Sequence, residues 1–192
     1  MNLSQLFQGG SRTRFILSIL NSPRFVLHYL LILIFPHKIK DDLNRYYQGF
    51  FYLMLFEKSF RNLFYVRMGK VSWPLMILAP RCESLSLDSN IHIGKGCCLV
   101  HSYWTFIHAK SIGQNFTCLH NVTIGNYHGL PTIGDNVSVY TGAIITGDIK
   151  IGNNVKIGAG TVINKDVPDN TTVSGNPAYI IRKNGVRVYE KL

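Results

Sequence analysis

The stretch that decides the fold runs from residue 132 to residue 163 and reads "TIGDNVSVYTGAIITGDIKIGNNVKIGAGTVI". An aliphatic residue recurs at every sixth position, and these residues are Ile133, Val139, Ile145, Ile151, Ile157 and Ile163. A second column of apolar or small residues lies four positions later, at Val137, Ala143, Ile149, Val155, Thr161 and Val167. Neither an α-helix nor an ordinary strand produces a six-residue period, which is typical of β-helices.

The geometry of a triangular coil explains this period. Each hexapeptide forms one short strand and one corner, and three of them close a coil. Coils then stack at the spacing of paired strands, about 4.8 Å. This arrangement predicts that Ile133 lies beside Ile151, and that Val139 and Ile145 meet their counterparts one coil later. The corners need tight turns with positive φ, which Gly, Asn and Asp tolerate, and "IGDN", "IGNN" and "IGAG" supply these residues.

The same period continues upstream to residue 93, with two irregularities. Leu99 and Ile112 are thirteen residues apart where two hexapeptides need twelve, which predicts a one-residue bulge near residues 104–106. Ile124 and Ile133 are nine residues apart. The three extra residues predict that "NYHGLP" is a loop that projects from a corner.

Residues 1–80 follow a different pattern. Their apolar runs "RFILSIL", "FVLHYLLILIF" and "YYQGFFYLMLF" predict helices, and Pro23, Pro36 and Pro74 interrupt them. We therefore divide the chain into a helical, basic segment, residues 1–80, and a β-helix domain with a C-terminal tail, residues 81–192. The predicted fold class is mainly β, with the β-helix preceded by this helical segment.

The charge is concentrated in the helical segment. The chain carries a net charge of +10, and residues 1–80 hold ten Lys and Arg against three acidic residues. Such a segment can attract nucleic acid, an anionic membrane surface or an anionic substrate. The basic residues are dispersed and no nucleic-acid motif accompanies them, so we expect no nucleic-acid partner.

The apolar run 25–35 leaves two interpretations open. It has eleven residues, whereas a membrane-spanning helix needs about 20. It is either a buried helix or an interfacial segment whose flanking basic residues meet lipid phosphates, namely Arg12, Arg14, Arg24, Lys38 and Lys40. The N-terminus lacks the cleavage pattern of a signal peptide. We therefore expect a cytoplasmic protein, with a peripheral position on the inner face of the membrane as the alternative.

The four cysteines are Cys82, Cys97, Cys98 and Cys118. No CxxC or Cys/His finger spacing is present, and two of the four are adjacent, which suits neither a disulfide framework nor a zinc site. We interpret them as small apolar residues in a reducing compartment and expect no metal.

One corner of the coil differs from the other two. On the face that contains Leu99, the third residues of successive hexapeptides are His101, His120, Thr141 and Ala159, and the fourth are Ser102, Asn121, Gly142 and Gly160. The other corners carry ordinary polar residues. The pattern predicts a bare strip whose backbone N–H and C=O groups face a long ligand, with His101 at its foot as a base. The alternative is that His101 fills the core within "CLVHSYW" and that the glycines only make the corners.

The chain resembles the hexapeptide-repeat acyltransferases with a left-handed β-helix, over roughly residues 91–183. It is most similar to the branch of serine acetyltransferases and of related enzymes in bacterial surface-polysaccharide synthesis. The stretches that carry the resemblance are "IGKGCCLVHSYW", "IGQNFTCLHNVTIGN" and "PTIGDNVSVYTGAIITGDIKIGNNVKIGAGTVINKDVPDNTTVSGNPAYIIRK". The end motif "KDVPDNTTVSGNPAYII" is the most specific of them.

The resemblance implies acetyl-CoA as donor, a hydroxyl group as acceptor, and a homotrimer with active sites between subunits. His101 matches the base that takes the proton of the acceptor hydroxyl, a role for which imidazole is suited near neutral pH. Thr141, Gly142, Ala143, Ala159 and Gly160 match the strip that contacts the pantetheine arm. Lys165, Arg182 and Lys183 are candidates for the CoA phosphates, and their alternative is an ordinary solvated charge. His120 and His128 are candidates for the acceptor site.

Three departures concern the acceptor and the orientation of the base. In serine acetyltransferases an aspartate directly precedes the base, and Val100 stands there in this chain. A second aspartate, which orients the imidazole, is replaced by Ser86, with Asp88 nearby. The second active-site histidine directly precedes a proline, whereas His128 lies three residues before Pro131.

Three functions therefore compete. The departures and the basic helical segment favour O-acetylation of a sugar hydroxyl in surface-polysaccharide synthesis. Serine O-acetylation for cysteine biosynthesis is the alternative. A β-helix scaffold that binds without catalysis is the third, and His101 beside the bare strip argues against it.

Overall fold

The computed structural model describes residues 36–46, 50–125 and 128–192. Helices come first: α1 Pro36–Leu43, α2 Phe50–Phe56, α3 Lys58–Met68, a 3₁₀ helix Gly69–Ser72, and α4 Trp73–Leu78. The strands are β1 Leu85–Leu87, β2 His92–Ile93, β3 Cys98–Leu99, β4 Thr105–Ile107, β5 Ser111–Ile112, β6 Thr117–Cys118, β7 Thr123–Gly125, β8 Thr132–Ile133, β9 Ser138–Val139, β10 Ile144–Thr146, β11 Lys150–Ile151, β12 Lys156–Ile157, β13 Val162–Ile163, β14 Thr171–Ser174, β15 Tyr179–Lys183 and β16 Val186–Lys191. The mainly β fold class is confirmed. The division between residues 80 and 81 stays a prediction.

The strands form the three faces of a prism. The first face has the order β1-β4-β7-β10-β13 and the second has the order β11-β8-β5-β2. The third has the order β3-β6-β9-β12-β14, continued by the antiparallel β15 and β16. Consecutive strands lie on different faces, so the chain winds as a parallel β-helix of about five turns, with the left hand that the resemblance implies.

The predicted register of the hexapeptides is confirmed. Ile133 faces Ile151 across two paired strands, and the next two columns are aligned in the same way. The column residues fill the prism, and Ile145 and Ile157 are fully buried. Each such side chain contributes roughly 1.5–3 kcal/mol through burial.

An asparagine ladder builds one corner of the prism. Asn115, Asn136, Asn154 and Asn170 all have φ between 55° and 57°. Each side-chain amide donates to the next asparagine, over 2.9, 3.0 and 2.8 Å. Asparagine tolerates this left-handed backbone, so the repeat places it where the turn requires it.

The bulge prediction near residues 104–106 is wrong in detail. Leu99 is paired with Cys118, and Ile107 is paired with Ile124. The interval from Leu99 to Ile107 is therefore eight residues, and that from Ile107 to Ile112 is five. Two residues are inserted at the corner before β4, and one is missing at the corner after it. The predicted loop between β7 and β8 is present, although residues 126–127 lie outside the described part.

Helix α3 covers the open end of the β-helix. The first coil ends in three edge strands, one on each face. Asn62 Nδ2 donates to Leu85 O on β1 over 2.9 Å, and Ser59 Oγ donates to Leu99 O on β3 over 3.1 Å. The Arg67 guanidinium donates to the carbonyl groups at the end of β2. An uncovered strand edge can pair with another chain. These side chains occupy the carbonyl groups of the edge strands and so prevent such pairing.

A buried ion pair ties α1 into the same arrangement. Arg67 donates to both carboxylate oxygens of Asp42, over 2.8 and 3.0 Å. Asp42 Oδ1 also accepts the backbone N–H of Cys97 over 2.8 Å. Both helices are thereby held against the first coil.

No helix among residues 36–46, 50–125 and 128–192 is long and apolar enough to cross a membrane. The apolar run 25–35 and the basic residues Arg12, Arg14 and Arg24 lie outside the described residues.

Candidate active site

His101 lies in the corner loop between β3 and β4. His101 and Trp104 both have positive φ, 46° and 54°, which is uncommon for bulky residues. Ser102 is buried and its Oγ donates to Cys118 O over 2.9 Å, while Tyr103 N donates to His101 O over 2.6 Å. The loop is thus fixed from inside, and 65% of the His101 side chain is exposed. The interpretation of His101 as a core residue does not hold.

The inserted residues are His101 and Ser102 themselves. Asn121 N donates to Tyr103 O in the same way as Gly142 N donates to His120 O one coil further. Tyr103 therefore takes the place in the column that the sequence pattern gave to His101. The prediction that His120 lies directly over His101 is wrong, because the insertion displaces His101 from the ladder.

A carboxylate from the helical segment contacts His101. Glu57, the residue that precedes α3, places Oε2 3.5 Å from His101 Nδ1, and its side chain is only 16% exposed. A carboxylate at Nδ1 selects the tautomer that leaves Nε2 as the proton acceptor. The arrangement is that of an imidazole with a carboxylate beside its Nδ1 and an exposed ring.

Ser86, which replaces the orienting aspartate of the family, and the nearby Asp88 both have partners other than His101. Ser86 Oγ lies 3.5 Å from His108 Nε2. Asp88 Oδ1 accepts the backbone N–H of Asn90 over 2.9 Å. Glu57 precedes His101 by 44 residues in an unrelated element, and no periodic signal in the sequence connects them.

The bare strip above the corner that contains His101 leaves free space beside the backbone of its glycines. Gly142 and Gly160 have φ of 72° and 65°. A Cβ atom at Gly160 would meet nothing within 4 Å, and the nearest atom to one at Gly142 would be 3.8 Å away. Ala159 beside them is exposed. A slender ligand can therefore approach the backbone here.

The expectation that this strip offers free N–H donors at its glycines is wrong. Gly142 N donates to His120 O over 3.3 Å, and Gly160 N donates to Thr141 O over 2.9 Å. These groups complete the ladder between coils. Ala143 is fully buried, and its backbone N–H donates to Tyr140 while its C=O accepts from the coil below.

The three predicted phosphate ligands differ in their surroundings. Lys165 Nζ donates to Leu192 O over 3.1 Å, and Lys183 Nζ forms an ion pair with Glu190 at 3.2 Å. Arg182 lines a cleft of about 670 Å³ together with residues of the asparagine ladder. Arg182 therefore lies toward the corner opposite the glycine strip on the same face.

His128 lies at a different corner from His101. Its loop joins β7 on the first face to β8 on the second, whereas the His101 loop joins the third face to the first. A single chain does not bring the two histidines to the same corner.

The cysteines offer no nucleophile. All four are free and buried, and burial raises the pKa of the Cys97, Cys98 and Cys118 thiols, which disfavours the reactive thiolate. No group of three His, Cys, Asp or Glu side chains that could hold a metal ion occurs in the described ranges.

Comparisons with known proteins agree with this fold. Residues 131–165 match the family model described as bacterial transferase hexapeptide (six repeats). The chain is 37% identical to a probable serine acetyltransferase 5 of Oryza sativa subsp. japonica over 148 residues, which are 66% of this chain and 43% of that protein. It is 40% identical to a serine acetyltransferase of Staphylococcus aureus (strain Mu50 / ATCC 700699) over 110 residues, 54% of this chain and 52% of the relative. The chain thus spans about half the length of these relatives.

A solved structure has the same architecture. The serine acetyltransferase of Brucella abortus strain S19 matches with a TM-score of 0.66 and 25% identity, over 83% of this chain and 74% of that one. The same protein has also been solved in complex with coenzyme A. The chain is a hexapeptide-repeat protein that resembles the serine acetyltransferase branch of acyltransferases.

Proposed function

We propose that this hexapeptide-repeat protein of the serine acetyltransferase branch transfers the acetyl group of acetyl-CoA to a hydroxyl group. The observation that carries the proposal is the pair of His101 and Glu57, at an exposed corner below the open positions Gly142 and Gly160. A base that is oriented by a carboxylate and lies below an open stretch of backbone suits acyl transfer to a hydroxyl.

The proton follows a short route in this mechanism. Glu57 holds Nδ1 of His101, and Nε2 accepts the proton of the acceptor hydroxyl as its oxygen attacks the thioester carbonyl. The C–S bond breaks, and the imidazolium returns the proton to the departing CoA sulfur. Glu57 stabilises the imidazolium between the two transfers. The distance of 3.5 Å between Glu57 Oε2 and His101 Nδ1 is long for a hydrogen bond, as is common before substrate is bound.

The donor would lie along the glycine strip. Gly142, Ala159 and Gly160 would face the pantetheine arm, with Thr141 half-buried beside them. Because the N–H groups of both glycines are used between coils, the arm would be held by shape and by carbonyl groups. Arg182 lies toward the opposite corner of this face, and Lys165 and Lys183 have partners of their own, so the ligand of the CoA phosphates among the three stays a prediction.

Serine is the acceptor that the relatives favour, because the two relatives and the solved structure described above are named serine acetyltransferases. A sugar hydroxyl is the second candidate, and one observation favours it. Val100, partly exposed beside His101, offers no charge to the ammonium group of an amino acid.

A homotrimer would bring His128 into use. His101 and His128 occupy different corners of one subunit, so a neighbouring subunit is needed to present the second histidine to the first. Subunits packed along their flanks would make each active site from two chains.

Release of the CoA thiol from acetyl-CoA tests the proposal, with serine and with sugar acceptors supplied separately. The variant His101→Ala should lower the rate by about 10²- to 10⁴-fold, which is the usual contribution of a general base. His92→Ala, which removes an exposed histidine on β2, is the matched control and should retain full activity.

Sedimentation should give the same oligomeric state for both variants and the wild type. Full activity of His101→Ala would contradict the proposal. The same would hold if the wild type transferred acetyl groups to none of the acceptors.

A further inference from the structure

A cavity of about 560 Å³ lies beside the His101 loop. Its wall includes Tyr103 and Trp104, the second and third residues after His101, and Lys58, the residue after Glu57. The cavity is therefore lined by residues that lie close in sequence to both members of the pair. Its position is suited to the part of an acceptor molecule that lies beyond the reacting hydroxyl.

The lining of this cavity is cationic. Lys58, Arg61 and Arg81 contribute three positive charges against the single carboxylate of Glu83. Arg81 is partly engaged, because its guanidinium lies 5.9 Å from the centre of the Tyr65 ring. Even with Glu83 in the lining and Glu57 one helical turn before Arg61, positive charge is in excess here, and an anion would offset it.

Arg61 is the residue that points to a ligand. Only 7% of it is exposed, and its Nε is buried without a hydrogen-bond partner among the described residues. A buried guanidinium nitrogen without a hydrogen-bond partner is costly, and buried guanidinium groups are normally paired with a carboxylate or phosphate. Its backbone N–H bonds to Glu57 O, so Arg61 lies one helical turn after the acid that contacts His101.

We propose that this cavity binds an oxyanion carried by the acceptor, a carboxylate or a phosphate, with Arg61 as its main ligand. The inference rests on the proposed acetyl transfer, because it takes the cavity as the acceptor site. The guanidinium can meet two oxygens of either group at once. Lys58 and Arg81 add positive charge at the rim, and Trp104 closes one wall.

The first test measures binding without any chemistry. Arg61→Gln removes the charge and keeps a polar side chain, and Arg187→Gln removes the same charge from the exposed strand β16. In a Trp73→Phe background, fluorescence reports Trp104 alone, since the chain has two tryptophans. Inorganic phosphate and acetate are titrated at constant ionic strength. We expect a saturable change in the control and at least about tenfold weaker binding in Arg61→Gln, the factor that a charge-assisted hydrogen bond contributes.

The second test uses acceptors in matched pairs. Serine is compared with ethanolamine, which lacks the carboxylate, and a hexose phosphate is compared with the parent hexose. The wild type should prefer the anionic member of one pair, and that pair identifies the source of the oxyanion. Arg61→Gln should lower kcat/KM for that acceptor by about 10- to 100-fold, with little change for the neutral member.

The outcomes separate the two proposals. Absence of acetyl transfer to every acceptor would overturn the proposed function, and the fluorescence titration would still decide the anion site. Equal binding and equal preference in Arg61→Gln and Arg187→Gln would overturn the anion site alone. Loss of an unpaired buried charge should leave folding intact, and Lys58→Gln provides a second variant, with a smaller effect in the same direction.

Discussion

The upper coils and the first coil of the β-helix are built on the same repeat and differ in what completes them. In the upper coils each corner is completed within the repeat, as in the amide ladder through Asn136. In the first coil the edges are completed by α3, and the corner at His101 contains two inserted residues. The proposed chemistry lies where the repeat is broken and a second element supplies the missing groups.

The largest loss of stability should follow when the link between the helices and the first coil is removed. Arg67→Met leaves Asp42 buried without its partner and frees the carbonyl groups at the end of β2. Stripping one member from a buried ion pair costs about 3–5 kcal/mol. Urea denaturation at a fixed protein concentration measures the loss.

Lys95→Met is the control for this variant. Lys95 lies 4.0 Å from Asp41 at an exposed site, and such a pair contributes less than about 1 kcal/mol. Equal stability of the two variants would show that the helices do not hold the first coil.

Substitutions in the upper coils should lower the free energy of unfolding by less. The loss there should come mainly from the left-handed backbone at the corners. Asn136→Ala places a Cβ-bearing residue without a polar side chain at φ of 56° and removes two ladder hydrogen bonds. We expect a loss of about 2 kcal/mol in the free energy of unfolding. Asn136→Gly keeps the backbone freedom and should lose only about 1 kcal/mol. If alanine and glycine were equivalent, the left-handed backbone would not determine the choice of residue.

The smallest predicted change is a gain in stability instead of a loss. Trp104 has φ of 54° in the inserted corner, and 79% of it is exposed, so its backbone is unfavourable and its side chain gains little from burial. Trp104→Gly should therefore raise the free energy of unfolding by about 0.5 kcal/mol. The same variant should bind inorganic phosphate less tightly, because it removes one wall of the cavity. Loss of stability without loss of binding would contradict both statements.

The same contrast explains how much could be predicted from the sequence. The pairing of Ile133 with Ile151 follows from a six-residue period, which is local and repeats often enough to be unambiguous. The loop around His128 follows from a nine-residue interval.

The insertion at His101 could not be located in this way. Thirteen residues between Leu99 and Ile112 give only the net excess, and two inserted residues followed by one missing residue produce the same count. Counting in steps of six therefore aligned His101 with His120. In the structure Tyr103 is the residue aligned with His120.

Glu57 and Arg61 were missed for a different reason. Both belong to α3, and their position against the first coil depends on how a helix packs, which no periodicity records. The available signal was the concentration of basic residues in the helical segment, which indicated an anionic partner without naming a residue.

The central claim is that a residue of the helical segment completes the active site of the β-helix. A double-mutant cycle of Glu57→Gln and His101→Ala on kcat/KM for acetyl transfer tests it most directly. Glu57→Gln alone should lower kcat/KM by about 10- to 100-fold, through loss of a charge-assisted contact to the imidazole. Since Glu57 acts through His101, adding Glu57→Gln to His101→Ala should lower the rate no further. Multiplied effects in the double variant, or full activity of Glu57→Gln, would contradict the account.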